Sequence, residues 1–287
     1  RKVIMQAPKN GFFYVLDRTN GKFISGKPYT SINWATGLDE NGRPIEAEFA
    51  RYTNAGQNTI IAPGPFGGHN WQPMAFNQET KLMYIPSHQV STVLSHEEEN
   101  TYNKVSRAAS GSGWNMTYAD KLYKPINPES ANAPNPYAPY GRLTAYDPVA
   151  QKEVWGVDYP LTHWNGGVLT TKGGLVFQGD ATGHLTAYDA GDGQKLWQID
   201  LLTGIIAPPV TYSVDGKQYL SIAVGWGGAT GLNRKFTKYV HPGRLYTFEI
   251  GGKAAIPAEM TGAIAELTSL PSSGQPLEIG RGLNLYL

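Results

Sequence analysis

The side chains that could do chemistry stand in a few glycine-rich places. Gly67-Gly68-His69-Asn70-Trp71-Gln72-Pro73 sets an indole beside a primary amide, between glycines and a proline. A stiff loop of this kind offers a planar ligand a stacking face and two hydrogen-bonding groups. The same indole could equally fill a seam between packed sheets, which is what composition alone favours. Lys9, in Ala7-Pro8-Lys9-Asn10-Gly11, puts a cation in a turn, where a solvent-facing role is the ordinary one. Trp164-Asn165-Gly166-Gly167 and Gly225-Trp226-Gly227-Gly228 are two further stretches where backbone can come close to a flat ligand.

Other chemistries find little support. The chain has no Cys, which removes disulfide, thiolate-metal and cysteine-nucleophile chemistry. Its six histidines, at positions 69, 88, 96, 163, 184 and 241, show no metal-ligand spacing. Gly111-Ser112-Gly113 has Met116 where a dinucleotide fingerprint needs its third glycine, so it reads as a turn. No Gly-x-Ser-x-Gly elbow supports a serine nucleophile. Asn115-Met116-Thr117 is a glycosylation sequon by pattern alone. Lys plus Arg at 24 against Asp plus Glu at 23 leaves a net charge of +1, which offers no electrostatic reason for nucleic acid or an anionic membrane as partner. Apolar runs such as Leu220 to Trp226 are far short of the roughly 18 residues a spanning helix needs.

The elements that must position these residues are strands. With 34 Gly, 20 Pro and 17 Tyr, and with charged residues at only 16%, the composition suits a large β fold rather than a coiled coil or a disordered chain. Leu143-Thr144-Ala145-Tyr146-Asp147, running on to Trp155, matches Leu185-Thr186-Ala187-Tyr188-Asp189, running on to Trp197. Ala145 and Ala187 lie 42 positions apart (187 − 145), inside the roughly 40–50 residues of a propeller blade. Val15-Leu16-Asp17 through Lys22 is a more degenerate copy, about three blade lengths earlier. Gly243 to Phe248 reads as the next copy with its later half lost. Asp215-Gly216 between two apolar runs signals a hairpin. The repeated Trp has a physical role in such an architecture, filling the seam between radial sheets.

The predicted fold is all-β: about four blades of a β-propeller over residues 1–250. Residues from about Val90 to Tyr140 read as an insertion between strands, and 251–287 as a linker, with a short helix expected at Pro257 to Leu267. Half a propeller leaves open sheet edges, so a partner segment is expected. The chain opens Arg1-Lys2-Val3 as if already inside a strand, which suggests a processed or partial polypeptide.

Taken together, residues 7–22, Gly68-His69-Asn70-Trp71, Trp164-Asn165-Gly166-Gly167, Leu175-Val176-Phe177-Gln178-Gly179 and Val224-Gly225-Trp226-Gly227-Gly228 resemble the pyrroloquinoline-quinone (PQQ) alcohol dehydrogenases, in their quinohaemoprotein branch. The resemblance runs in register from residue 1 to about 253. It implies an eight-bladed propeller holding PQQ and Ca2+ near its axis, in the periplasm, with electrons passing to haem c. It also implies that Lys9 reaches the quinone oxygens and that Asn70, Trp71 and Trp164 contact or flank the cofactor. Gly228 and Ala229 match the last cofactor-contacting loop, where some relatives carry Trp in place of Ala229. The family's catalytic Asp matches a position just before this chain begins, and the calcium ligands match earlier ones still, so no catalytic base or metal ligand is assigned here. Gly280 to Leu287 resembles the lead-in to a cytochrome c domain. The expected activity is oxidation of an alcohol to an aldehyde or ketone. Two alternatives stand beside it: a non-catalytic propeller that serves as a protein-binding scaffold, and a haem-free PQQ dehydrogenase. Lys9 with Asn70 and Trp71 discriminates against the scaffold, and the linker after Gly251 against the haem-free enzyme.

Overall fold

Three aspartates, Asp17, Asp147 and Asp189, end repeated strands and turn the chain the same way. In each, the carboxylate accepts the amide of the residue two positions on: Thr19, Val149 and Gly191. In each, the Asp carbonyl accepts the amide four positions on, from Gly21, Gln151 and Gly193. Those three residues all have positive φ, between 55° and 76°. In each, too, the ladder slips by one residue two positions before the Asp, at Val15/Leu16, Ala145/Tyr146 and Ala187/Tyr188. The repeated sequence therefore encodes one hairpin: an Asp-capped turn followed by a bulge that increases the local twist.

This computed structural model describes residues 1–51, 58–95, 117–118, 140–160, 163–225 and 243–256. In chain order the strands are β1 (Val3–Gln6), β2 (Phe12–Asp17), β3 (Phe23–Pro28), β4 (Ala35–Leu38), β5 (Pro44–Glu46), β6 (Asn58–Ile61), β7 (Ala75–Phe76), β8 (Met83–Gln89), β9 (Thr92–Ser95) and β10 (Thr117–Tyr118). They continue as β11 (Tyr140–Asp147), β12 (Lys152–Tyr159), β13 (Val168–Thr170), β14 (Leu175–Gly179), β15 (His184–Asp189), β16 (Lys195–Asp200), β17 (Val210–Val214), β18 (Lys217–Val224) and β19 (Arg244–Glu249). Four antiparallel meanders form the body: β1-β2-β3, β7-β8-β11-β12, β13-β14-β15-β16 and β17-β18-β19. The strands β4-β5 and β6-β9-β10 make two small additional sheets. Within the second meander β8 pairs directly with β11, and β9 and β10 lie in the separate small sheet between them in sequence. The described helical structure is a single 3-10 turn, Glu48–Arg51.

The core lies in the seams between successive meanders. Leu82, Tyr84, Leu143 and Ala145 of the second pack against Val176, Tyr188 and Ala190 of the third. Phe13 and Val15 of the first meet Met83, Ile85 and Tyr146 of the second, and Leu185 of the third meets Ile222 and Val224 of the fourth. Trp155, opposite Ala145 in the ladder, fills its seam as the repeat predicts. Its Nε1 donates to the Ala190 carbonyl at 3.1 Å, and its ring lies where a Cβ on Gly193 would stand 2.6 Å from it. Gly193 thus answers to two demands, a left-handed backbone and space for the neighbouring indole. Trp197 holds the equivalent place one sheet on, edge-to-face with Phe248 at 5.7 Å.

Candidate functional site

The five-residue turn between β1 and β2 is tied down at every carbonyl. Ala7 O lies 2.7 Å from Nδ1 of His69, and Pro8 O accepts the Tyr29 hydroxyl at 2.7 Å. Lys9 O accepts the Gly68 amide at 2.9 Å, Asn10 O the Trp34 indole N–H at 2.9 Å, and Gly11 O the Tyr29 amide at 3.0 Å. Lys9 is therefore a long flexible side chain on a fixed backbone. Its ammonium is exposed and donates to the Pro65 carbonyl at 3.2 Å. Among the described residues it forms no ion pair with a carboxylate.

Against this turn lies the loop from Gly64 to Pro73. Gly67 has φ of 79°, and a Cβ there would sit 2.6 Å from Cα, Cβ and Cγ of Lys9. Only glycine allows the two backbones to approach so closely. The loop is further held by Gly64 N to Val90 O, His88 N to Gly68 O and Val168 N to Pro73 O. Asn70 spends both ends of its amide locally: Nδ2 donates to Phe66 O, and Oδ1 accepts the Trp71 amide, each at 2.9 Å. The second amide hydrogen remains available to a ligand. Trp71 projects from this fixed loop with 55% of its surface exposed.

Trp164, grouped with Trp71 as cofactor-flanking, occupies a different environment. It is 4% exposed and packs with Ala181, Ile206 and Phe66. Trp71 meets it edge-on at 6.4 Å, Phe66 at 5.5 Å, and the His88 ring lies over it at 5.1 Å with a tilt of 35°. Trp164 therefore braces Trp71 from behind, while Trp71 presents the open face. Trp226, Gly228 and Ala229, the sequon at Asn115 and the helix expected at 257–267 lie outside the described residues.

Histidines that look scattered in sequence converge here. His69, His88 and His163 are all buried, with the rings of His88 and His163 6.1 Å apart. Burial and the neighbouring imidazoles hold His88 well below the usual histidine range, so it is neutral. Burial likewise lowers His69, against the opposing pull of the Gln72 and Ala7 carbonyls. Gln72 is fully buried, with neither amide atom partnered among the described residues. Spacing gave no sign of this cluster, because it is assembled from the loop before β7, from β8 and from the segment before β13. Among the described residues, no group of three or more His, Asp or Glu is arranged to hold a metal ion.

Comparison with known proteins agrees with this architecture. A family profile described as "Glucose/ethanol/alcohol dehydrogenase, beta-propeller domain", the PQQ family, matches residues 43–220. The chain is 45% identical to the quinohemoprotein alcohol dehydrogenase of Comamonas testosteroni, over all of its own length and 39% of the relative's. The chain belongs to the PQQ quinohaemoprotein alcohol dehydrogenase family. It is also 45% identical to the 1-butanol dehydrogenase (cytochrome c) of Thauera butanivorans, over 100% of the chain and 40% of that protein. The crystal structure of the Comamonas testosteroni enzyme superimposes with a TM-score of 0.75 at 46% identity, covering 90% of this chain and 37% of that one. A europium-containing methanol dehydrogenase follows at 0.65 and 28%, covering 86% and 44%. The meanders are thus propeller blades. This family member spans about two fifths of the length of the curated relatives it matches.

Proposed function

We propose that this chain supplies part of the cofactor wall of a PQQ-dependent alcohol dehydrogenase that passes its electrons to haem c. Residues 1–250 would form the C-terminal half of its propeller and 251–287 a linker toward a cytochrome c domain. The observation that carries the reading is the pairing of two rigid loops, one presenting the exposed indole of Trp71 and the other a cation with no carboxylate partner among the described residues. PQQ is flat and bears three carboxylates, so it asks for an apolar face and a cation together, and the residues present fit it. When bound, it would supply the two-electron acceptor for the alcohol.

Each side chain then has a definite task. Trp71 covers one part of the flat ligand and excludes water from it. Lys9 would bring a positive charge, from a fixed backbone, to where negative charge develops on an oxygen, stabilising it as an oxyanion hole does. Asn70 has one N–H left to orient the same ligand, and Trp164 keeps Trp71 in place. Gly228 and Ala229 would close the last side. Calcium belongs to the proposal as the Lewis acid beside the cofactor, with ligands mostly outside this chain, as does a carboxylate base to take the alcohol proton. A periplasmic location is part of the same reading, with the remaining half of the propeller and a cytochrome c as partners. The higher identity and TM-score of the quinohaemoprotein relative, against the methanol dehydrogenase, support the haem-linked form over the haem-free one.

The test is made on the full-length enzyme that carries this chain. PQQ added with Ca2+ should quench tryptophan fluorescence and restore alcohol-dependent reduction of a dye. Lys9→Ala should lower kcat by roughly 100-fold or more, the scale of losing one charge-stabilising donor, with the melting temperature little changed. Unaltered turnover at normal PQQ content removes Lys9 from the reaction. Absence of any PQQ binding moves the protein-binding scaffold to the front.

A further inference from the structure

His69 is a buried member of the loop from Gly64 to Pro73, and its ring reaches across to the turn that carries Lys9. Nδ1 lies 2.7 Å from the carbonyl of Ala7, two residues before Lys9, and Nε2 lies 2.6 Å from the carbonyl of Gln72, next to Trp71. A neutral imidazole has one N–H and donates to one of these oxygens, while an imidazolium donates to both. With its proton on Nδ1 the ring donates to Ala7 O and ties the loop that carries the indole to the backbone that carries the cation. The other ties between the loops differ in kind. Gly68 N to Lys9 O is a backbone bond that no side-chain substitution removes, and Lys9 Nζ to Pro65 O is exposed.

We propose that His69 is a positioning residue that sets the distance between Lys9 and the Asn70-Trp71 pair, so that both engage one ligand together. The proposal rests on the PQQ reading above. Without the bridge, the Lys9 turn keeps its bonds to Tyr29, Trp34 and Gly68 and stays folded, but its register against the Trp71 loop is no longer held at Ala7. His69 therefore acts through Lys9, and the two residues must be energetically coupled.

A double-mutant cycle on the full-length enzyme tests this, with PQQ affinity measured by fluorescence titration in calcium buffer and the melting temperature recorded for every variant. His69→Ala should weaken PQQ binding about tenfold when Lys9 is present and less than about threefold in the Lys9→Ala background, the coupling expected of residues that act as one unit. His69→Gln, which keeps an N–H for one carbonyl, should recover most of the affinity. If His69→Ala does not fold, the same cycle is run with His69→Gln, and a smaller coupling of the same sign is expected. Equal losses in both backgrounds, or no loss in either, overturn the proposal while PQQ binding by the parent protein stands. A parent that binds no PQQ overturns the reading itself and this proposal with it.

Discussion

At the scale of single residues, Trp71 and Trp164 look interchangeable in sequence, each in a glycine-rich stretch beside an Asn, yet their surroundings assign them opposite work. Trp164→Ala removes a buried indole from a packed cluster and should cost about 3–5 kcal/mol of stability, read by chemical denaturation. Trp71→Ala removes a largely exposed ring and should leave stability within about 0.5 kcal/mol while weakening PQQ binding roughly tenfold. Equal destabilisation by the two would show that Trp71 is also a structural indole. The buried histidines give a pH dependence whose sign is fixed. Burial disfavours protonation of His88 strongly and of His69 in the same direction, whereas the unfolded chain takes up protons near pH 6.5. Below that value the unfolded state binds more protons, so stability is full above about pH 6.5 and falls as the pH drops. Denaturation midpoints between pH 7.5 and 5.5 should show the decline, and His88→Phe should flatten it. A slope unchanged by His88→Phe would mean that the proton uptake lies elsewhere.

At the scale of elements, the repeated hairpin was legible because each of its devices has a sequence mark: Asp for the cap, Gly for the left-handed residue, Trp ten positions after the Ala for the seam. Gln151 shows the limit of such marks, since it takes the same left-handed position without being glycine, at φ 55°. The ties that fix Lys9 were not legible. They run from Tyr29, Trp34, Gly68 and His69, residues 20 to 60 positions away whose types have many ordinary uses. A hydrogen bond to a carbonyl leaves no periodic trace, so only the fold brings these donors to one turn. The seam makes a separate claim. Gly193→Val adds a branched side chain to a position with φ 76° and pushes it into the Trp155 ring, so it should destabilise by about 2–4 kcal/mol. The same change at Gly216, also left-handed but with nothing near its Cβ, should cost less, because only the backbone term remains. Comparison of the two unfolding free energies separates seam packing from turn strain, and equal costs would dismiss the packing role.

At the scale of the whole molecule, the open edges expected of half a propeller have a measurable consequence. β17 is an edge strand exposed along its whole length, and it carries Val210, Tyr212 and Val214 on alternate positions. On the opposite edge of the same blade, β19 exposes Leu245 to 72%. In a closed propeller each blade face packs on the next, which takes the apolar faces out of water and leaves only short, protected edges. A flat apolar edge strand is instead a template for another chain. The 287-residue polypeptide on its own should therefore associate with itself, its sedimentation coefficient rising with concentration. Val214→Lys together with Leu245→Lys should lower that tendency without unfolding the chain, because both side chains are exposed and edge lysines oppose pairing. A chain that remains monomeric at high concentration with the native residues would show that these faces are covered from within the polypeptide, and the edge of the fourth blade would then have to be closed by segments beyond the described strands.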